Sequence, residues 1–260
     1  MATQPPPGLP IFYKDLVPLQ SNLHSKYRTR PADTALYFAD HHAIPVTCDE
    51  FIHAQRSSPI IFSAGENPVP LVLMGLNEGV NVFLDETGKA RGPFYVPAYV
   101  RRYPFMLARL APDAPELSLC FDPTSELIGE FEDGNPLFED GKPTQNLNDI
   151  LKFCEDFEMA AQRTAGFMEE LKALDLLMDG EVSIQPANAE QPFIYRGFQM
   201  VSEEKLRDLH GDQLRKLNQN GILPLIFAHI FSLSQMSDIF AAQMALGKVP
   251  TSPEPAPAEA

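Results

Sequence analysis

Residues 147–174 read LNDILKFCEDFEMAAQRTAGFMEELKAL, and this stretch decides the fold class. Its apolar side chains recur at spacings near 3.6 residues, which is the period of a helix with one buried face. The pattern predicts one long amphipathic helix or two nearly collinear ones, with Gly166 as the weak point. From about residue 11 to 142 the chain instead reads as short strands and turns.

Local signals place further elements upstream of this helix. The sequence Thr47-Cys48-Asp49-Glu50 has the form of a capping box, which predicts a short helix from about Cys48 to Arg56. Two acid-rich turns closed by Gly-Lys, at 82–89 and 137–142, predict hairpins. The predicted strands are 34–38, 59–63, 69–74, 81–84 and 117–121.

The region after residue 174 is predicted to be mainly helical. Phe193–Val201 reads as a strand, and Ser202 is placed to cap the helix that follows it. Gly221 should end the next helix, and Pro224 fits the first turn of a last, buried helix that runs to about residue 246.

The segregation of strands and helices predicts an α+β fold, with a mainly antiparallel β-sheet from the N-terminal half packed against C-terminal helices. The expected organisation is a β-rich subdomain at 11–143 and a helical subdomain at 144–248. Residues 1–10 are Pro-rich, and residues 249–260 are rich in Pro, Ala and Glu, so both ends are expected to be disordered.

The chain of 260 residues is acidic, with a formal net charge of −15. Residues 111–158 hold 13 acids against Lys142 and Lys152, which is a net charge of −11. This balance argues against a nucleic-acid partner. The acidic zone reads either as a solvated surface, with a mobile loop between Glu130 and Lys142, or as a docking face for a basic partner.

The three cysteines, Cys48, Cys120 and Cys154, form no C-x-x-C pair and are expected to be reduced core residues. The N-terminus lacks the basic and apolar regions of a signal peptide. The best apolar run, Ile222–Leu233, is shorter than the ~18 residues that a membrane span needs. These features predict a cytoplasmic protein with no membrane span, whose oligomeric state the sequence leaves open.

The segment YVPAYVRRYPF at 95–105 carries the main candidate ligand-binding residues. Pro97 can start a helical turn and Pro104 must stop it. Tyr99 and Tyr103 would then share a face, and Arg101 or Arg102 could bind a carboxylate or phosphate through the fork of its guanidinium. The alternative is an Arg-Tyr network that pins the turn to the sheet.

His24 and His229 are the two further candidates for ligand binding. For each of them the sequence favours a structural histidine, His24 bonded to backbone and His229 buried in the most apolar helix. The histidines have no metal-ligand spacing, and nucleophile-elbow, Walker A and G-x-G-x-x-G motifs are absent. The sequence therefore predicts no metal site, no cofactor and no catalytic residue.

Nearly the whole chain resembles the SapC family of bacterial proteins. The resemblance is carried by the 95–105 segment and by a series of shorter matches, in order 17–19 with His24, 44–46 with 50–51, 59–62, 70–71, 73–76, 81–83, 136–138, Thr164, 176–177, Gly221 and 228–233. The family name implies association with a paracrystalline surface layer, and relatives accompany genes for outer-membrane nutrient receptors and flavin-dependent halogenase-like enzymes. The resemblance implies no catalytic residue. Peptide-transporter permeases of the same name are unrelated.

Three hypotheses of function remain open at this point. The first is a SapC-like accessory or binding protein that recognises a small anionic, amino-acid-like ligand or a protein partner. The second is an enzyme that acts on an amino-acid or peptide-like substrate, with His24 or His229 as acid or base. The third is a structural protein of the surface layer. The absence of a catalytic motif favours the first.

Overall fold

Short strands and turns occupy most of the chain up to residue 143, and one long helix follows them. The computed structural model describes residues 8–32, 34–110, 116–185 and 191–249. The predicted disorder of 1–10 and 249–260 therefore falls largely outside the described residues. The strands are β1 Val17–Pro18, β2 Arg28–Thr29, β3 Ala43–Pro45, β4 Ile60–Ser63, β5 Pro70–Leu73, β6 Phe105–Ala108, β7 Ser118–Phe121, β8 Ile128–Gly129, β9 Asn135–Pro136, β10 Phe138–Glu139, β11 Lys142–Pro143, β12 Leu177–Asp179, β13 Val182–Ile184, β14 Phe193–Tyr195 and β15 Phe198–Val201.

The helices lie mainly in the C-terminal half, and every strand pair is antiparallel. This arrangement confirms the predicted α+β class. Single turns of 3₁₀ helix occur at Leu36–Phe38, Cys48–Glu50 and Leu233–Gln235. The α-helices are α1 Phe51–Ala54, α2 Ala98–Arg101, α3 Gln145–Ala173, α4 Glu203–Arg207, α5 Gly211–Gln219, α6 Ile222–Ser232 and α7 Met236–Ala245.

The chain divides into two units, and each unit takes residues from both sides of the predicted boundary at 143. The first unit comprises residues 1–38 and 99–159, and the second comprises 39–98 and 160–260. Helix α3, a single helix of 29 residues, contributes its first part to the first unit and its second part to the second. The sequence pattern shows that helix as one element but does not show which strands its two parts accompany.

The first unit contains two three-stranded sheets and a hairpin. The strand orders are β1-β7-β6 and β8-β2-β9, and the hairpin pairs β10 with β11. Its core is formed by apolar side chains from these strands and from the start of α3. The buried members are Phe105, Leu107, Phe121, Ile128, Leu137, Leu147 and Cys154.

The second unit is built on one five-stranded sheet with the order β12-β15-β4-β5-β3, beside the separate hairpin β13-β14. Helix α7 contributes three buried side chains to the core of this unit, Met236, Ile239 and Phe240. On the sheet side the core includes Ile61, Leu73 and Phe198. Of the seven strands that the structure describes in this unit, β14 and β15 fall within the predicted strand Phe193–Val201, and β12 and β13 were not predicted.

Most of the predicted elements are confirmed. Strands lie at 60–63, 70–73 and 118–121, the capping box of Thr47 and Glu50 is present, and Ser202 accepts from the Lys205 amide at the start of α4. The predicted hairpin at 137–142 is β10-β11, and the turn after Leu84 closes with a bridge to Ala90. The three cysteines are buried and free.

Two predicted strands are wrong because local hydrogen bonds take their place. Within 34–38 the Phe38 amide donates to the Ala35 carbonyl, which winds the chain into a 3₁₀ turn. Within 81–84 the Asn81 side chain accepts from the Phe83 amide at 3.0 Å, an Asx-type turn that competes with strand pairing. The β-branched and aromatic residues that suggested these two strands do not indicate either turn.

The predicted last helix is present as α6, a 3₁₀ turn and α7 in succession, but it is not buried on all sides. Phe227 is 39% exposed and Phe231 is 64% exposed, so one face of α6 is open to solvent. By length and composition alone, the run Ile222–Ala245 could cross a membrane, with a mean hydropathy of 1.4. The core helix of a soluble protein passes the same test.

Candidate functional site

The Tyr95–Phe105 segment folds as predicted into a short helical turn between two prolines. Helix α2 follows Pro97 directly, and Pro104 ends the turn before β6 begins. In the second unit, the buried Glu50 carboxylate holds the start of the segment, because its Oε1 accepts from the Ala98 amide at 2.6 Å and from the Tyr95 hydroxyl at 2.9 Å. One buried acid therefore serves both the capping box and the entry into α2.

In the first unit, a cavity of about 600 Å³ opens beside the end of this segment. Arg101, Arg102 and Tyr103 line it, together with Arg30 and Tyr37. The rings of Tyr37 and Tyr103 stack with their centroids 4.4 Å apart. The structure therefore brings three of the four predicted residues of this segment into one concave surface.

Arg102 is the most unusual residue of the cavity, since its side chain is buried although it is a cation. The guanidinium lies between two aromatic rings, 4.5 Å from the Tyr99 centroid and 4.2 Å from the Phe157 centroid. Its Nη1 is 3.6 Å from the Glu158 Oε1, and its buried Nε has no hydrogen-bond partner in the described part of the chain. A buried charge normally needs closer pairing than this.

The neighbours of Arg102 offer little additional negative charge. Burial raises the pKa of the Cys154 thiol to about 12 and raises the pKa of the Tyr99 hydroxyl, so both groups are neutral at pH 7. Burial also raises the pKa of Glu158, although the Arg102 guanidinium opposes that shift. Arg102 is therefore a buried cation with one carboxylate at 3.6 Å and a hydrogen bond to the neutral Tyr99 hydroxyl.

Arg101 and Arg30 are placed differently from Arg102. Arg101 is exposed, and its guanidinium lies 5.3 Å from the Phe153 centroid. Arg30 donates from Nε to Asp133 Oδ1 at 2.8 Å and stacks over Phe131 at 3.7 Å. Arg30 is thus neutralised in the free protein to a greater extent than Arg102.

Residues that do not line the cavity hold the Tyr103 side chain in position. Its hydroxyl interacts with Ser125 and with Asp122, a fully buried carboxylate, while burial raises its pKa. Asp122 also accepts from the Lys14 amide at 2.8 Å and from the Thr124 amide at 2.8 Å. This network fixes the tyrosine ring in the cavity wall, which the sequence did not reveal.

Tyr99 does not line the cavity but supports it. Its side chain is 7% exposed, and its hydroxyl donates to the Ile11 carbonyl at 3.3 Å. The ring packs edge-on against Phe12 and covers one side of the Arg102 guanidinium. Of the predicted pocket residues, Arg101, Arg102 and Tyr103 line the cavity, whereas Tyr99 packs against Arg102. A ligand-binding role for them stays a prediction.

The two candidate histidines lie away from the cavity. His24 accepts from the Gln20 amide through Nδ1 at 3.0 Å and packs against Tyr27 and Phe121, and burial lowers its pKa. His229 is fully buried in the second unit. Its Nδ1–H donates to the Ile60 carbonyl at 2.8 Å, and its Nε2 accepts from the Val201 amide at 3.1 Å.

Several cavity residues were missed by the sequence reasoning. Asn146, Asp149, Ile150 and Phe153 line it from α3, at positions that share one helical face. Of these four, only Ile150 belongs to the apolar period that predicted the helix. Nothing local in the sequence indicates that Tyr37, from a distant turn, stacks on Tyr103.

A comparison with known protein families identifies the family of this chain. The family model described as SapC matches residues 19–239, so the chain belongs to the SapC family. Neither the curated proteins nor the solved structures include a match. Within the described residues, no group of three or more His, Cys, Asp or Glu side chains could hold a metal ion.

Proposed function

We propose that this SapC-family protein is a binding protein that takes a small carboxylate ligand into the cavity of its first unit. The observation that carries the proposal is Arg102, a buried guanidinium with one carboxylate at 3.6 Å and an Nε that has no partner among the described residues. An incoming carboxylate would supply the second counter-charge that this cation lacks. Arginine suits the role because its planar fork matches a carboxylate.

The charge distribution supports an anionic ligand. The chain carries −15 overall, yet the described lining of the cavity holds three arginines and one acid, Asp149. Positive charge concentrated in a concave surface attracts anions more strongly than the same charge on an open one. The cavity of about 600 Å³ lies within the range of about 300–1,000 Å³ that is typical of small-molecule sites.

The placement of the histidines favours binding over catalysis. Neither His24 nor His229 lines the cavity, and both nitrogens of His229 are engaged with backbone groups. An acid or base must come within hydrogen-bond reach of the bond it acts on. The enzyme hypothesis would therefore have to rely on groups other than these two imidazoles.

Calorimetric titration with acetate, hexanoate and short peptides tests the proposal. Arg102→Lys keeps the positive charge and removes the fork, so the native protein should bind hexanoate and this variant should bind it at least tenfold more weakly. Arg101→Lys should show a smaller loss, because Arg101 is exposed. Arg196→Lys is the matched control, since Arg196 pairs with Glu181 in the second unit.

Two results would refute the proposal. One is the absence of any carboxylate binding by the native protein. The other is native-like binding by Arg102→Lys. A melting curve recorded for each variant separates a loss of binding from a loss of folding.

A further inference from the structure

Five side chains of helix α3 line the cavity, and their chemical character changes along the helix axis. Asn146, Asp149, Ile150, Phe153 and Cys154 stand at i, i+3, i+4, i+7 and i+8 and line it together. This spacing places them along one face of the helix. Along that face the chemistry changes from hydrogen-bond acceptors, through apolar side chains, to the arginines.

The acceptor end is formed by Asp149 and Asn146. Asp149 is exposed, and its Oδ1 accepts from the Gln145 amide side chain at 2.7 Å. Asn146 donates through Nδ2 to the Thr29 hydroxyl at 3.1 Å. Because its nitrogen is used in this way, its carbonyl oxygen is the atom left to accept, and no described residue donates to it. This end of the cavity therefore suits a cation or another donor.

The cationic end lies two turns further along the same helix. Arg101 lies over Phe153, and Arg102 lies over Phe157 with Glu158 at 3.6 Å. With a rise of about 1.5 Å per residue, the two ends are separated by about 11 Å along the axis. Ile150 and Cys154 occupy the apolar stretch between them.

We propose that the ligand is an elongated zwitterion, a short peptide or an ω-amino carboxylate, with its carboxylate at Arg102 and its ammonium at Asp149. This inference rests on the proposed function and adds the second charge, its position and the length of the ligand. An extended dipeptide spans about 7 Å. A charge-assisted contact of about 3 Å at each end brings the total close to the separation of the two ends.

The test uses two probes that differ only in the second charge, 6-aminohexanoate and hexanoate. Calorimetry should show that the native protein binds 6-aminohexanoate about fivefold more tightly than hexanoate, which is the scale of an exposed ion pair. In Asp149→Asn the preference for 6-aminohexanoate should be lost, because its ammonium loses the carboxylate partner while hexanoate gains from the removal of a negative charge. Asp156→Asn is the control, because Asp156 lies on the same helix and pairs with Lys152 outside the cavity.

The possible failures can be told apart. If hexanoate binds as tightly as 6-aminohexanoate, or if Asp149→Asn leaves their ratio unchanged, the zwitterion proposal is wrong and the carboxylate site stands. If neither probe binds, the proposed function fails and this inference fails with it. A fivefold preference that Asp156→Asn also abolishes would contradict the assignment of the ammonium to Asp149.

Discussion

Arg102 and His229 both have buried polar side chains, but the two differ in how completely their polar atoms are hydrogen-bonded. His229 has a hydrogen bond at each ring nitrogen and a stacked neighbour, Phe62, at 4.5 Å. The Arg102 guanidinium lies between two aromatic rings, with one carboxylate at 3.6 Å and a hydrogen bond to the Tyr99 hydroxyl. Its Nε has no partner among the described residues. A satisfied buried group indicates a structural role, whereas an under-neutralised one points to a ligand.

His229 should make the stability of the protein depend on pH in a defined window. Burial lowers the pKa of His229 from 6.5 to about 4. Between these values the unfolded imidazole binds a proton and the folded one does not, so the free energy of unfolding should fall as the pH falls from 6.5 to 4. Between pH 7.5 and pH 5, the shifted pKa of His229 should lower the free energy of unfolding by about 2 kcal/mol.

Urea denaturation of the native protein and His229→Gln at pH 7.5, 6 and 5 measures this effect. The variant should be less stable at pH 7.5, because Gln cannot reproduce both hydrogen bonds, but its stability should fall less between pH 7.5 and 5. His53→Gln is the control for the replacement of an exposed imidazole. Identical slopes for the native protein and His229→Gln would show that folding does not lower the pKa of His229, which would contradict this prediction.

At the scale of elements, α3 shows what the sequence can and cannot predict. Its apolar period fixed its existence and nearly its length, and Gly166 does not interrupt it. The same period could not show that one face of its first half lines a cavity, because the apolar members of that face look like core residues and its polar members look like solvated ones. Distant residues decide that difference, among them Tyr37, whose stacking on Tyr103 no local pattern encodes.

The 95–105 segment was predictable for a different reason. Pro97 and Pro104 limit the turn sterically, so its helical form and its ends followed from local chemistry alone. The burial of Arg102 was not predictable, because it depends on Phe157 and Glu158 from α3. In this segment the local sequence determines the backbone conformation, whereas tertiary packing determines which of the two arginines is buried.

Because α3 continues through Gly166, we can predict how a substitution of this glycine changes the stability of the protein. A Cβ built on this glycine meets no atom within 4 Å, and its backbone is helical. Gly166→Ala should therefore raise the free energy of unfolding by about 0.5–1 kcal/mol, because Gly loses more conformational freedom in a helix than Ala does.

Gly221→Ala is the matched control for this prediction. Gly221 also has open space around it but adopts φ +73, a conformation that strains an L-residue. Chemical denaturation should show a gain for Gly166→Ala and a loss for Gly221→Ala. A loss at Gly166 would mean that α3 is not a regular helix at this point.

At the scale of the whole chain, the acidic zone is largely exposed where the structure describes it, but Asp122 is a fully buried exception. Residues 111–115 fall outside the described part, while Glu130, Glu132 and Asp133 are exposed between β8 and β9. Asp133 pairs with Arg30, a cavity residue, so this acidic turn supports the cavity from outside. The predicted mobility of the turn stays a prediction.

Limited proteolysis with an enzyme that cuts after acidic residues tests that prediction. Glu130 and Glu132 lie in a turn, whereas Glu155 and Asp156 are equally exposed on α3. Helical backbone resists cleavage because its hydrogen bonds must open first. Among described sites, the turn should therefore be cut before the helix. Earlier cleavage at Glu155 or Asp156 would reverse this assignment.

The central claim is that the Arg102 guanidinium receives the carboxylate, and its own Nε–H resonance tests this most directly. In a ¹⁵N–¹H spectrum, the Arg102 signal is the one that disappears in Arg102→Lys. On titration with hexanoate this signal should shift and saturate together with the calorimetric curve, while the Arg196 signal stays in place. Saturable binding of hexanoate that leaves the Arg102 signal unmoved would contradict the account.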